Sequence, residues 1–276
     1  MTTKRLEGRR VLVTGASRGI GAATAVRFAA EGADVAIVAR TLDRHDHLPG
    51  SLRETAARVR EVGGNAATIV ADLSDADDRV RVVPASTAAL GGPVEILVNN
   101  AAAAIYGPVV TFPLSRRRVT FEVNVHGPLD LAQAVLPAML ERGEGWIVNV
   151  SSATARATTT NPTMAVYGAS KAALNRMTAG LAAEVAGTGV RVNTIEPRAA
   201  VMTEGAAALV GDTIPEDQIE STEEMVEGIL ALADCEAQLT GRHLVSLDLI
   251  AELGLTVHAL DGTPLPGGAP DRGAAR

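Results

Sequence analysis

A hydroxyl, a phenol and an ammonium occur together in residues 151–171, SSATARATTTNPTMAVYGASK, at Ser152, Tyr167 and Lys171. The last two stand four residues apart in a run that reads as helix, so they share one face with Cβ atoms roughly 6 Å apart. A free phenol titrates near ~10, too high for ready proton exchange at neutral pH. A cation about 5 Å away, at an effective dielectric of ~20, contributes roughly 3 kcal/mol, enough to favour the phenolate about a hundredfold. Tyr167 lowered in this way is a usable acid or base. Tyr-x-x-x-Lys is also common on ordinary helices, so the pair needs companions elsewhere in the chain.

The first companion is near the start. Residues 10–14, RVLVT, form an apolar run that ends in GASRGIG, and a helical pattern follows. Glycines at 15, 19 and 21 let the backbone turn sharply and approach a ligand closely. The free N–H groups and dipole of the following helix, which opens near Ser17, Arg18 and Ile20, favour a pyrophosphate. A second strand, residues 34–38, ends at Ala39 and Arg40 with no carboxylate to hold adenosine ribose hydroxyls. Arg40 and Arg18 can instead hold a 2′-phosphate, so NADP is preferred. NAD stays possible through Asp43 and Asp46 in the long polar loop that follows. His45 and His47 of that loop lack further metal-ligating neighbours, and no metal is expected.

Composition narrows the partners. A net charge of −7 leaves no basic stripe for nucleic acid, and no run of about 18 apolar residues exists to span a membrane. The N-terminus carries no apolar signal region, so a cytoplasmic location is expected. The lone cysteine, Cys235, reads as a small buried hydrophobe. Aromatics are only 2 % of the chain, so packing must rely on small aliphatic side chains, as between helices and a parallel sheet.

Strands then alternate with helical crossovers. A third strand ends at Asp72 and Leu73, which can bind an adenine amino group and cover its ring. A helix over residues 74–90 should be kinked or shortened by Pro84. EILVNNAA ends in Asn99, Asn100 and Ala101, which can pin neighbouring strands or line a cofactor. One long helix, residues 116–141, carries Asn124. WIVNV delivers Ser151 and Ser152, a helix spans residues 164–186, VRVNTIEP is a sixth strand, and residues 198–217 are loop or short helix. A helix over residues 223–234 and a last strand, HLVSLDL, follow. The alternation predicts an α/β fold, a doubly wound parallel sheet in a three-layer α/β/α sandwich. It forms one domain, residues 1–261, with a disordered tail over residues 262–276. The glycine loop, Asp72, Asn100 and Ser152 would share the carboxyl edge of that sheet.

The motifs in this order resemble the classical short-chain dehydrogenase/reductase family: TGASRGIG, the DL pair, NNA, Asn124, Ser152 and YGASK. The resemblance implies a Rossmann-type fold, a nicotinamide cofactor, a homo-oligomer (dimer or tetramer), and a catalytic tetrad of Asn124, Ser152, Tyr167 and Lys171. Tyr167 would exchange the proton of the substrate oxygen. Lys171 would lower its pKa and bind the nicotinamide ribose, Ser152 would orient the substrate oxygen, and Asn124 would hold a relay water. Three departures stand out. Ala102 replaces the glycine after NNA, fifteen residues separate Ser152 from Tyr167, and Arg198 replaces the glycine after Pro197. Val201 and Thr203 of the next loop would contact the carboxamide. The expected activity is interconversion of a secondary alcohol and a ketone on a partly hydrophobic small molecule, with Ile105, Met164, Val166 and Met202 as apolar candidates. A cofactor-binding regulatory protein on the same fold, and an epimerase or dehydratase that oxidises transiently, are the alternatives.

Overall fold

β1 (Arg10–Thr14) is hydrogen-bonded in parallel to β2 (Asp34–Ala39) on one side and to β4 (Ile96–Asn99) on the other. All three are near-continuous apolar runs, as strands covered on both faces must be. Alternate residues of each strand feed opposite layers: Val11, Val13, Ile37 and Val98 join one hydrophobic cluster, and Leu12, Ala36, Val38 and Leu97 the other. The computed structural model describes residues 4–43, 49–159, 162–201, 203 and 219–265. His45, His47, Asp46, Met202 and most of the 198–217 segment lie outside the described residues.

The order of the seven-stranded parallel sheet is β3-β2-β1-β4-β5-β6-β9, with β3 at Ala66–Val70, β5 at Gly145–Val150, β6 at Val190–Glu196 and β9 at His243–Val245. A second, two-stranded sheet joins β7 (Ala200–Val201) to β8 (Ile219–Glu220). One face of the large sheet is covered by α1 (Gly19–Ala30), α2 (Leu52–Glu61) and a helix over Thr222–Ala233, here α7. The other is covered by α3 (Ala76–Ala89), α5 (Gly127–Arg142) and α6 (Ala165–Glu184). This is the three-layer Rossmann-like arrangement expected. The strand order reverses between β1 and β4, where a crevice opens at the carboxyl ends of the strands.

Helix starts follow local chemistry. Ser51 accepts from the Glu54 N–H at 3.1 Å, and Ser221 and Glu224 form a reciprocal capping box at the start of α7. Three expectations need correction. Pro84 neither ends nor shortens α3, which runs on to Ala89; the carbonyl four residues back belongs to Val80, which is 74 % exposed, so water can take its unpaired oxygen. The long helix over residues 116–141 is three pieces: α4 (Leu114–Phe121), a π-helical turn at Glu122–His126, and α5. HLVSLDL is strand only as far as Val245, and α8 (Ser246–Leu253) then buries Ser246, Leu249 and Ile250 at helical spacing. A seven-residue apolar run does not by itself distinguish the two.

Cys235 is buried, its thiol pushed up to about 11 by burial and donating to the Leu232 carbonyl, which is the environment of a packing residue. Residues 262–265 turn back on the body through a bridge between His258 and Pro264, and residues 266–276 lie outside the described residues.

Under the site, a buried polar chain crosses the sheet: Asn99 donates to Asn149 at 2.8 Å, and Asn149 donates to Thr178 of α6 at 2.8 Å. All three residues are buried. Asn149→Ala leaves the buried Asn99 amide without its acceptor, while Thr178 keeps its bond to the Leu174 carbonyl, and is expected to cost about 2 kcal/mol in urea unfolding, with unchanged denaturant dependence. A loss below about 1 kcal/mol would show that the chain does not hold β4, β5 and α6 together.

Candidate active site

The crevice is built around the end of β1. Thr14 Oγ1 accepts hydrogen bonds from the N–H groups of Asn100 and Ala101, both at 3.1 Å, and the Asn100 amide donates to the Thr14 carbonyl at 2.9 Å. The glycines make this approach possible. A Cβ on Gly21 would stand 2.3 Å from Asn100 Nδ2 and 2.5 Å from the Gly15 carbonyl, and one on Gly15 would stand 2.7 Å from Ala101 Cα. Gly15 also adopts a φ of 66°, in the left-handed region. Asn99 and Asn100 therefore divide their work: Asn99 ties β4 to β5, while Asn100 ties β4 to the glycine loop and faces the crevice.

A cavity of about 400 Å³ follows from this loop, lined by Gly15, Ser17, Arg18, Arg40, Asp72, Leu73, Asn100 and Ala101 among others. Arg18 occupies the N-cap of α1 without a side-chain cap, so the N–H groups of the first turn, at Gly19, Ile20 and Gly21, face the loop side. Arg40, 68 % exposed, stands 3.8 Å from Asp72 in an ion pair worth little in water, so its guanidinium is available to a ligand. The Asp72 Oδ1 is taken by the Ser74 N–H and hydroxyl at 2.9 and 2.8 Å. Asp43, one of the two carboxylates that keep NAD open, forms an exposed ion pair with Arg53 on α2, and Asp46 lies outside the described residues. Free helix N–H groups, glycines with no room for a side chain and two arginines are a donor set that fits a dinucleotide.

Beside the cavity stands the predicted tetrad. Ser151 and Ser152 leave β5 on opposite sides, as strand alternation requires. Ser151 Oγ is buried, whereas the half-buried Ser152 Oγ accepts from the Thr154 N–H and hydroxyl at 3.3 and 3.0 Å and hydrogen-bonds toward the Tyr167 phenol. Lys171 Nζ donates to the Val150 carbonyl at 2.8 Å and lies 6.0 Å from the centroid of the Tyr167 ring. Asn124 sits in the π turn, the kind of helix irregularity that accompanies functional sites. Its two amide donors go to the Ala103 carbonyl and Ser170 Oγ, and its Oδ1 accepts from the Ala103 N–H at 2.7 Å. Ser170 in turn donates to the Tyr167 carbonyl at 2.7 Å. The Asn124 side chain thus fixes the Ala103 loop to the helix of Tyr167 and Lys171.

The electrostatic expectation for Tyr167 is reversed. Burial holds the phenol well above its ordinary value, charge on the neighbouring Tyr106 adds to this, and the Ser152 hydrogen bond opposes it. Lys171 is itself lowered from 10.5 to about 8 by burial. The cost of drying both groups outweighs their Coulomb attraction.

The remaining predicted residues are less uniform. Thr203 lies over the glycine loop, where a Cβ on Gly19 would approach it to 3.3 Å. Pro197 is buried, and its carbonyl accepts from Arg156 at 3.2 Å. Val201 has its side chain buried in the hydrophobic core, which leaves its main chain for a carboxamide. Arg198, in place of the usual glycine, is tied outward to Glu220 and to Asp248, the latter at 2.7 Å.

Three site residues had no motif to reveal them. Tyr106 sets its ring against that of Tyr167 at 5.5 Å between centroids and 67° between planes. Arg156, in the enlarged loop after Ser152, pairs with the fully buried Glu196 at the end of β6, which also binds His243 at 2.6 Å. The other end of that loop is held by the Gly107 N–H to the Thr163 carbonyl at 2.8 Å. The one available signal for Tyr106 was rarity, since the chain has two tyrosines and Tyr167 is the other. Among the described residues no group of three metal-ligating side chains occurs.

Because Lys171 is neutral more readily in the folded chain, the unfolded chain binds the extra proton between about pH 8 and 10.5, and stability contributed at this position rises with pH through that window. Relative to wild type, Lys171→Met should therefore be on the order of 2 kcal/mol more favourable at pH 7 than at pH 10 in chemical unfolding. A pH-independent difference would contradict the assigned burial.

The architecture and the motifs can be compared with known proteins. A short chain dehydrogenase of Pseudocercospora fijiensis is 40 % identical over 195 residues, which are 70 % of this chain and 60 % of that protein. L-xylulose reductase of Bos taurus is 34 % identical over 255 residues, covering 88 % of this chain and 96 % of that one. The chain thus spans less than two thirds of the length of some relatives and nearly all of others. A solved short chain dehydrogenase of Burkholderia cenocepacia, in complex with NADP, superposes with a TM-score of 0.76 at 32 % identity over 87 % of this chain and 97 % of that one. The short chain dehydrogenase family pattern matches residues 9–212, from β1 through the glycine loop and the tetrad, and the chain belongs to that family.

Proposed function

We propose that the protein is an NADP-preferring oxidoreductase that interconverts a ketone and a secondary alcohol on a partly apolar small molecule. The observation that carries this reading is the convergence of Ser152, Tyr167 and Lys171, with the phenol dry, hydrogen-bonded toward the serine and set against Tyr106, the residue that follows the Ala101–Ile105 wall of the crevice. The nicotinamide, when bound, supplies or accepts the hydride.

The chain's own residues handle the substrate oxygen and its proton. Ser152, fixed by Thr154, presents its hydroxyl to the carbonyl oxygen and orients it. Tyr167, protonated throughout the neutral range because of its burial, is the acid that protonates the oxygen as negative charge develops there. The phenolate left behind is stabilised by Lys171, which near pH 8 exists in both protonation states and can restore the proton. In the oxidative direction the same groups act in reverse. Asn124 and Ser170 keep the loop at Ala103 in register with α6 and so keep the wall of the site in place.

The preference for NADP rests on Arg18 and Arg40 at the cavity and on the absence of a carboxylate at the end of β2. The apolar character of the substrate rests on Ile105 at the cavity and on Met164 and Val166, both half-buried at the start of α6. Self-association fits Leu129 and Leu140, which are 41 % and 43 % exposed on α5. Among the described residues no helix is long and apolar enough to cross a membrane.

Tyr167→Phe should lower kcat for ketone reduction by about a thousandfold while NADPH binding, followed by fluorescence, is retained. Retained turnover would refute the assignment. Arg40→Ala should lower kcat/KM with NADPH about 10- to 100-fold and leave the NADH value nearly unchanged, since a charged contact to phosphate contributes about 1.5–3 kcal/mol. Equal losses with both cofactors would point to NAD.

A further inference from the structure

The chain holds six aromatic residues, two of them tyrosines, and both tyrosines stand at this site. Tyr106 is half-buried, and the described residues form no hydrogen bond to its hydroxyl, so a simple packing role would be met as well by leucine. It is held firmly all the same. The backbone of Ala103 is bonded through both its N–H and its carbonyl to Asn124, and the N–H of Gly107 is bonded to Thr163 of the enlarged loop. Phe112 closes on Gly107, where a Cβ would lie 3.4 Å from its ring.

The place so fixed is at the end of the crevice. Residues 100–105 line the cavity, four of them alanines whose small side chains leave room, and Tyr106 is the next residue along. Its phenol is close enough to that of Tyr167 for charge on one to oppose charge on the other. A ketone whose oxygen reaches the Tyr167 hydroxyl therefore has a substituent of its carbonyl carbon within reach of the Tyr106 ring. Aromatic rings favour offset or edge-on contact with other π systems and with flat hydrocarbon faces.

We propose that Tyr106 is a specificity-determining residue that packs against a planar aryl or ring-fused group next to the substrate carbonyl, so that the preferred substrates are aryl or cyclic ketones and their alcohols. This rests on the ketone–alcohol reading above. Compounds of this class bury a flat face between Tyr106 and the alanine floor, whereas a short open-chain ketone touches only the Tyr167 side.

The test uses 1-tetralone, a bicyclic aryl ketone, and 2-butanone, with NADPH as reductant. The wild type should favour 1-tetralone in kcat/KM by at least about tenfold, the effect of one well-packed apolar contact. Tyr106→Ala should raise the KM for 1-tetralone about tenfold or more and change that for 2-butanone less than about threefold, and Tyr106→Phe should restore the 1-tetralone KM. Equal changes for both ketones, no change for either, or a wild-type preference for 2-butanone would overturn the proposal. A second readout does not depend on turnover. With ring-13C-labelled tyrosine the protein gives signals from only two residues, assigned by Tyr106→Phe and Tyr167→Phe. In the complex with NADP, 1-tetralone should shift the Tyr106 signal and 2-butanone should not; an unmoved Tyr106 signal overturns the contact. If the wild type binds NADPH but reduces neither ketone, the ketone reductase reading has failed and this inference falls with it; if 2-butanone alone is reduced, only this inference falls.

Discussion

Lys171 places a primary amine in a dry interior with one hydrogen bond, to the Val150 carbonyl at 2.8 Å, and much of the site is arranged around that placement. An ammonium has three donors, and removing it from water without filling them is costly, which is why its pKa falls to about 8. The same bond fastens α6 to the end of β5, and so sets Tyr167 against Ser152. That bond positions the chemistry, and the burial around it tunes the lysine.

Around it the polar groups form a continuous set of fixations. Asn124 bridges Ala103 and Ser170, Ser170 holds the Tyr167 carbonyl, and Asn149 bridges Asn99 and Thr178 one layer below. At the other wall, Thr14 and Asn100 lock β4 against the glycine loop. These bonds cross between elements far apart in sequence, so the crevice depends on the whole sheet and not on any one loop. A buried phenol that stays protonated and a lysine that titrates near 8 are a pair whose common burial pushes their proton affinities apart.

Much of this was legible in the sequence. The glycine loop, Asp72, Asn100 and Ser152 fall at strand ends because apolar runs and glycine turns mark those ends locally, and Tyr167 and Lys171 fall four residues apart on one helix. What was not legible depends on contacts between distant segments. The π turn at Asn124 has no periodicity of its own within a long helical pattern. The Glu196 pairing with Arg156 and His243 joins three separate elements, and nothing near Glu196 in the chain foretells its burial. The direction of the Tyr167 pKa is set by burial, whereas spacing gives a distance to Lys171 and says nothing about how much water is lost around both. Tyr106 carried no motif, and only the fold brings it to Tyr167.

The central claim is that this crevice moves a hydride between nicotinamide and a carbonyl carbon while Tyr167 handles the proton. The most direct measurement is transfer of label from NADPH deuterated at C4 of the nicotinamide to a ketone, read by mass spectrometry of the alcohol. The account predicts deuterium on the carbinol carbon, from one of the two C4 epimers of the cofactor and not the other. Alcohol formed without deuterium from either epimer, or cofactor bound and recycled with no net oxidation, would contradict it.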